Sequence, residues 1–323
     1  MKRREFFTLI GGAATVWPLR ARATRTLGKS TTVGVFVPPD FPAVGGLQEG
    51  FRQLGYTEGR NLRLEYRWAA KADQFGDLVA ELIKIGVDAF VTFGTPSSLA
   101  CQRATTTIPI VMAAVGDPVG SGLVSSLARP GGNITGFSSV SPELEAKRLQ
   151  ILTDLIPNLT RVGIIWNASN RPVAVAEAAV QSAAKERQIA IESVSVSDLN
   201  ELATAFDRLR RQPPQAVMIL TDPLLQTYSP HIIQFMADNR LPAIYAHQDT
   251  VRAGGLISYG AYYHELFRRA AGYVDKILNG AKPGELPVQQ PERLELTINL
   301  KTANALGLNV PLHIQQLADE VIE

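Results

Sequence analysis

RVGIIWNASNRPVAVAEAAVQSAAKERQIAIESVSVSDLNELATAFDRLRRQPPQAVMIL, residues 161–220, sets strand-like and helix-like segments in strict turn. Residues 161–166 form a short apolar run that suits a buried strand. Residues 173–187 are alanine-rich and suit a helix. A second strand is expected over 189–194, a second helix over 199–211 and a third strand over 216–220. Strands that alternate with helices pack as parallel sheets covered on both faces.

The same alternation extends in both directions. Towards the N-terminus, strands are expected at 32–37, 61–68, 88–93, 108–113 and 134–137. Helices are expected at 44–54, 73–85 and 96–104. A helix over 141–156 has Leu144, Arg148, Ile151, Leu152 and Leu155 at helical spacing, with Ser141 as N-cap and Pro142 at the first helical position. Towards the C-terminus, a helix is expected at 224–239, strands at 243–246, 256–259 and 294–300, a helix at 264–278, and a short helical tail. The restart near residue 140 implies two lobes of similar design. No tandem repeat or low-complexity linker separates them.

The chain has 323 residues, 46% of them apolar and 19% charged. That balance supports a globular core and excludes a disordered chain. The formal charge of +2 gives no basic stripe for nucleic acid. Cys101 is the sole cysteine, which excludes an internal disulfide and a cysteine-rich zinc site. The four histidines, His231, His247, His264 and His313, lack metal-ligand spacing. No nucleotide loop or nucleophile elbow occurs, so no cofactor, metal or catalytic residue is proposed and the chain is read as a non-enzyme.

Residues 1–23, MKRREFFTLIGGAATVWPLRARA, read as an export signal. Lys2, Arg3 and Arg4 precede a 14-residue uncharged stretch from Phe6 to Leu19, and Ala21-Arg22-Ala23 offers a small-x-small cleavage site after Ala23. The paired arginines before Phe6 and Phe7 resemble a twin-arginine signal. The stretch is short of the roughly 20 residues of a membrane span. The segment holds five basic residues and one acidic one. Its removal takes Lys+Arg from 32 to 27 and Asp+Glu from 30 to 29, leaving a formal −2. The expected location is the periplasm.

In open parallel sheets, ligands bind beyond the carboxyl ends of the strands. Gly94-Thr95-Pro96-Ser97-Ser98 follows one strand; Thr95 either caps the next helix, with Pro96 opening it, or joins Ser97 in holding an anion. Thr221-Asp222-Pro223 repeats the layout. Asp222 is either a plain N-cap contributing about 1 kcal/mol or a holder of a ligand ammonium or hydroxyl. Asn167 and Ser169 end a third strand and Asp117 a fourth. Tyr245, His247 and Tyr259 stand near further strand ends, where they either stack on a planar ligand or pack at the boundary.

Residues 94–136 (GTPSSLACQRATTTIPIVMAAVGDPVGSGLVSSLARPGGNITG), residues 259–311 (YGAYYHELFRRAAGYVDKILNGAKPGELPVQQPERLELTINLKTANALGLNVP) and the ending ADEVIE resemble the ABC-transporter substrate-binding family termed TrpX-like or ABC-sub-bind. The start, KRREFFTLIGGAATVWPL, is similar to the export signal of many proteobacterial members. The resemblance implies a type I periplasmic-binding-protein fold, with two Rossmann-like lobes joined by three crossovers. Lobe 1 would hold 30–138 plus 258–290, and lobe 2 would hold 139–257 plus 291–323. It implies a monomer that closes by hinge motion on a small solute, an amino acid, aromatic or similar polar molecule, and delivers it to a membrane permease. By motif position, Thr95, Ser97 and Asp117 would line the first wall, and Asn167, Ser169 and Asp222 the second. The loop Pro38-Pro39-Asp40-Phe41 departs from the family pattern. Other classes with an α/β layout are a ligand-sensing regulatory module and an α/β enzyme. A repressor of this fold carries a helix-turn-helix ahead of the first strand, where fewer than 30 residues stand here.

Overall fold

The computed structural model describes residues 30–69, 71–139 and 141–323. The expected export signal, 1–23, lies outside the described residues. The first lobe runs β1 (Thr31–Phe36), α1 (Val44–Gln53), β2 (Leu62–Arg67), α2 (Phe75–Ile85), β3 (Ala89–Phe93), α3 (Thr95–Ala104), β4 (Ile110–Val115) and β5 (Ile134–Ser138). These strands form a parallel five-stranded sheet in the order β2-β1-β3-β4-β5. β3, β4 and β5 are buried along their whole length, which explains the unbroken apolar run of β4, IVMAAV.

The second lobe runs α4 (Ser141–Leu155), β6 (Arg161–Asn167), α5 (Arg171–Glu186), β7 (Ala190–Val196), α6 (Leu199–Arg211), β8 (Ala216–Ile219), α7 (Pro223–Thr227), α8 (Ser229–Asp238), β9 (Ala243–Tyr245), α9 (Gln248–Arg252) and β10 (Ile257–Ala261). α10 (Tyr263–Leu278) returns to the first lobe. Then β11 (Leu294–Asn299), α11 (Leu300–Leu306), α12 (Leu312–Leu317) and β12 (Glu320–Ile322) complete the second. The seven-stranded sheet has the order β12-β11-β10-β9-β8-β6-β7. It is parallel except between β10 and β11.

Three expectations shift. The single helix over 224–239 is two, because Pro230 has no N–H to continue a helix and instead sits in the first turn of α8. The tail ends in a strand, β12, paired with β11. The return to the first lobe comes after Ala261 rather than at 258, since β10 bonds to β9 and β11 in the second sheet.

The chain passes between the sheets three times: from β5 to α4, from β10 to α10, and from residue 289 to β11. α10 buries Leu266, Phe267, Ala270 and Val274 against Leu47 and Phe51 of α1. The two helices touch closely because α1 carries glycine at 46 and 50. A Cβ on Gly46 would lie 2.0 Å from the carbonyl oxygen of His264, and one on Gly50 2.4 Å from that of Arg268. α10 thereby covers the first sheet although the strand before it belongs to the second.

Candidate functional site

Three loops leave the carboxyl ends of β3, β6 and β8 and start helices that face one another across the lobes. At the first, Gly94 is the N-cap of α3, with φ +80°, and no side chain caps the helix. Thr95, read from sequence as the cap, is instead the first helical residue. Ser97 turns inward and donates to the carbonyls of Phe93 (2.9 Å) and Gly94 (3.3 Å). Its hydroxyl therefore satisfies its own turn.

At the third loop, Asp222 is the N-cap of α7 and only 2% exposed. Its Oδ1 accepts from the Leu224 backbone N–H (2.8 Å) and the Asn167 amide (3.1 Å). Its Oδ2 accepts from the Asn170 amide (2.8 Å). Asn167 is fixed in turn, because its Oδ1 accepts from the Ser169 N–H at 2.9 Å. Asp222 makes no ion pair among the described residues. Burial pushes its carboxyl above the usual range, while the amide donors from Asn170 and Asn167 and the backbone pull it back. The Asp222 carboxyl is thus an acceptor held in place by neutral donors.

A cleft of about 310 Å³ opens beside it. The first lobe supplies Trp68, Lys71, Phe75 and Pro96, and the second Asn167, Ser169, Ser197 and Asp222. Trp68 packs edge-on to Phe75 with centroids 5.3 Å apart, and its buried Nε1–H has no partner among the described residues. Lys71 reaches Asp198 of the opposite lobe at 3.8 Å. Thr95 lies at a narrower extension of the cleft that also touches Asp222, Asn170 and Pro223. The volume is in the range of small-molecule sites.

The lobes stand closed. Pro223 seats on Gly94, and the Phe41 and Phe93 rings of the first lobe lie 5.7 and 6.1 Å from the His247 ring of the second. The His247 ring lies tilted against Tyr263, with centroids 4.1 Å apart. Neither of its ring nitrogens has a hydrogen-bond partner among the described residues, and burial, with Arg148 nearby, pushes its pKa down to about 3.

Of the residues singled out from sequence, Pro96, Asn167, Ser169 and Asp222 share the cleft. Thr95 adjoins it and His247 lies in the aromatic seam. The other four point elsewhere. Asp117 bonds Gly120 N–H of its own loop at 2.8 Å, Ser97 is turned inward, and Tyr245 lies in the second-lobe core. Tyr259 packs against that lobe's other apolar cluster. Sequence reasoning passed over Trp68, Lys71 and Asn170. Asn170 stood in a legible signal, an Asn two residues before Pro172 at a helix start. It also passed over Glu145 and Arg148, whose signal was an arginine within an apolar helical stripe.

Residues 32–322 match the family model of ABC transporter substrate binding proteins. The chain belongs to that family. This substrate-binding protein is 27% identical over 286 residues to a tyrosine-binding protein of Clostridioides difficile (strain R20291), covering 87% of this chain and 82% of that one. A conserved domain protein from Vibrio cholerae superimposes with a TM-score of 0.84 at 27% identity, over 91% of this chain and 100% of that one. An ABC domain in complex with L-Trp from Streptococcus pneumonia gives 0.82 at 24% identity, over 91% and 100%. The type I periplasmic-binding-protein fold follows, with its two α/β lobes. Among the described residues, no helix is long and apolar enough to cross a membrane.

Proposed function

We propose that the chain is the exported solute-binding component of an ABC importer, which takes an amine-bearing small solute, an aromatic amino acid, between its lobes and hands it to a membrane permease. The observation that carries this reading is Asp222. A buried carboxylate with three N–H donors and no cation is poorly stabilised alone. A ligand ammonium supplies the missing charge. Trp68 and Phe75 offer an apolar wall for a ring, and the relatives that bind tyrosine and L-Trp agree with that class. Ligand binding favours the closed state by its differential affinity for closed over open lobes. Residues 1–23 act as a twin-arginine export signal, removed after Ala23, and the mature protein works as a monomer in the periplasm.

The test is calorimetry and thermal shift with L-tyrosine, L-tryptophan and the deaminated acid of tyrosine. An amino acid that binds only the folded state raises the apparent melting temperature. The deaminated acid should bind far more weakly. Equal affinity for the amine-free acid sinks the role given to Asp222. Cell fractionation with Arg3 and Arg4 replaced by Lys tests export, and an unchanged periplasmic yield refutes the twin-arginine route.

A further inference from the structure

We infer that the buried Glu145–Arg148 pair is a positioning device that couples the Asp222 loop to the passages between the lobes, so that grip on a ligand and lobe closure form one event. The inference rests on the cleft reading above.

Glu145 and Arg148 stand one turn apart on α4, 0% and 1% exposed, with Arg148 Nη1 2.5 Å from Glu145 Oε1. α4 is the first helix after the first passage. Arg148 Nε donates to the carbonyl of Tyr259 in β10 at 2.6 Å, two residues before the second passage leaves Ala261. Arg148 Nη1 donates to Thr221 Oγ1 at 2.8 Å. Glu145 Oε1 accepts from the Thr221 backbone N–H (2.9 Å) and hydroxyl (2.8 Å). Thr221 immediately precedes Asp222. Its hydroxyl gives one hydrogen bond and receives one, which uses its donor fully. One ion pair thus ties together the start of the second lobe, the loop that carries the ligand-facing carboxylate, and the strand that feeds the return to the first lobe.

Stability alone does not account for the pair. Apolar residues of similar volume in place of a buried ion pair are often neutral or stabilising. Here Glu145 Oε2 is buried with no hydrogen-bond partner among the described residues, while Oε1 carries the contacts to Arg148 and Thr221. What the pair adds is direction. The guanidinium is a rigid fork whose N–H vectors fix the Tyr259 carbonyl and the Thr221 hydroxyl relative to α4, while Glu145 Oε1 holds the Thr221 backbone N–H. A loop so fixed moves with its lobe, and Asp222 cannot shift towards a ligand without drawing on both passages.

The experiment labels each lobe once, at Lys84→Cys and Lys185→Cys, both exposed positions, with Cys101 buried and silent. Interlobe distances are read by fluorescence transfer with and without saturating L-tyrosine, beside calorimetric affinity. The charge-free double variant Glu145→Leu/Arg148→Met should remain folded, bind L-tyrosine at least tenfold more weakly, and keep a mixed open and closed distribution at saturation. Thr221→Val keeps the ion pair and the backbone N–H bond to Glu145, removes the two hydroxyl bonds that make up the rest of its link to the loop, and should move both readouts the same way; it decides the matter if the double variant does not fold. Affinity within twofold of the parent with full closure overturns the coupling. Should the parent protein not bind L-tyrosine, the ligand class above fails, while the ligand-free distributions still decide the coupling. They must differ between parent and Thr221→Val, and identical distributions overturn it.

Discussion

Gly94 and Pro223 meet across the cleft with no room for one added carbon: a Cβ on Gly94 would lie 2.3 Å from Pro223 Cγ. The two residues stand at the starts of α3 and α7 in opposite lobes, so their contact requires the lobes to be closed. Gly94→Ala should therefore hinder closure and weaken L-tyrosine binding by about tenfold or more, although neither residue supplies a ligand-binding polar group. Ala at φ +80° also carries backbone strain of about 1–3 kcal/mol. The double variant Gly94→Ala/Pro223→Ala separates the two effects. It removes the ring that clashes and leaves the strain, so affinity should recover while the lost stability does not. Affinity that stays low in the double variant would assign the loss to the distorted α3 start.

Asp222→Asn should separate binding from stability. Asparagine caps a helix as well as aspartate does, and the change removes a buried charge. Loss of that charge against a ligand ammonium should weaken L-tyrosine binding by roughly 30-fold, about 2 kcal/mol. The ligand-free melting temperature should hold or rise. The folded-state pKa of Asp222 is raised, so the folded chain binds this proton more readily than the unfolded one and the group's contribution falls as pH rises through the folded pKa. The variant's melting temperature should thus gain on the parent's between pH 4 and pH 7. A variant less stable than the parent at pH 7 would show that the carboxylate is chiefly structural.

The alternation of elements was legible because buried parallel strands leave unbroken runs such as IVMAAV at 110–115. Which sheet β10 joins was not, since Ile257–Ala261 reads alike in either lobe and only pairing with β9 and β11 decides it. In the candidate site, Asp222 and Asn167 share one cleft because both stand at or just beyond the carboxyl ends of strands. Ser97 and Tyr259 were misjudged because side-chain direction depends on where a helix begins and on which face a strand buries. The cap at 94, one residue earlier than expected, rotates Ser97 inward. Glu145 was passed over and Arg148 was read only as a member of an apolar helical stripe, because spacing along one helix does not show that β10 returns over α4 and meets Arg148 with the Tyr259 carbonyl.

The α1–α10 contact predicts a loss confined to the first lobe's packing. Gly46→Ala forces a methyl against the His264 carbonyl, and overpacking of that kind costs about 1–3 kcal/mol. The melting temperature should fall by roughly 2–4 °C per kcal/mol. L-tyrosine affinity measured well below the transition should stay within about twofold, because Gly46 lies on the face of α1 packed against α10 and is not among the residues lining the cleft. An unchanged melting temperature would mean that α10 shifts freely on the first sheet.

His247 makes the closed protein sensitive to acid. Its ring packs against Phe41 and Phe93 from the first lobe and Tyr263 at the start of α10. The charged groups facing it are Arg148 from α4, which disfavours a second positive charge, and Asp222, which lines the same small cavity. The folded pKa is about 3 against 6.5 for the free side chain, so between those values the unfolded chain takes up a proton that the folded chain refuses. Stability from this group is complete above about pH 6.5 and is lost as pH falls towards 3. At pH 5 the loss is about 2 kcal/mol relative to pH 7.5. His247→Phe keeps an aromatic ring and removes the titration. Its melting temperature should fall less than the parent's between pH 7.5 and pH 5, and parallel pH profiles would show that His247 takes its proton without opening the seam.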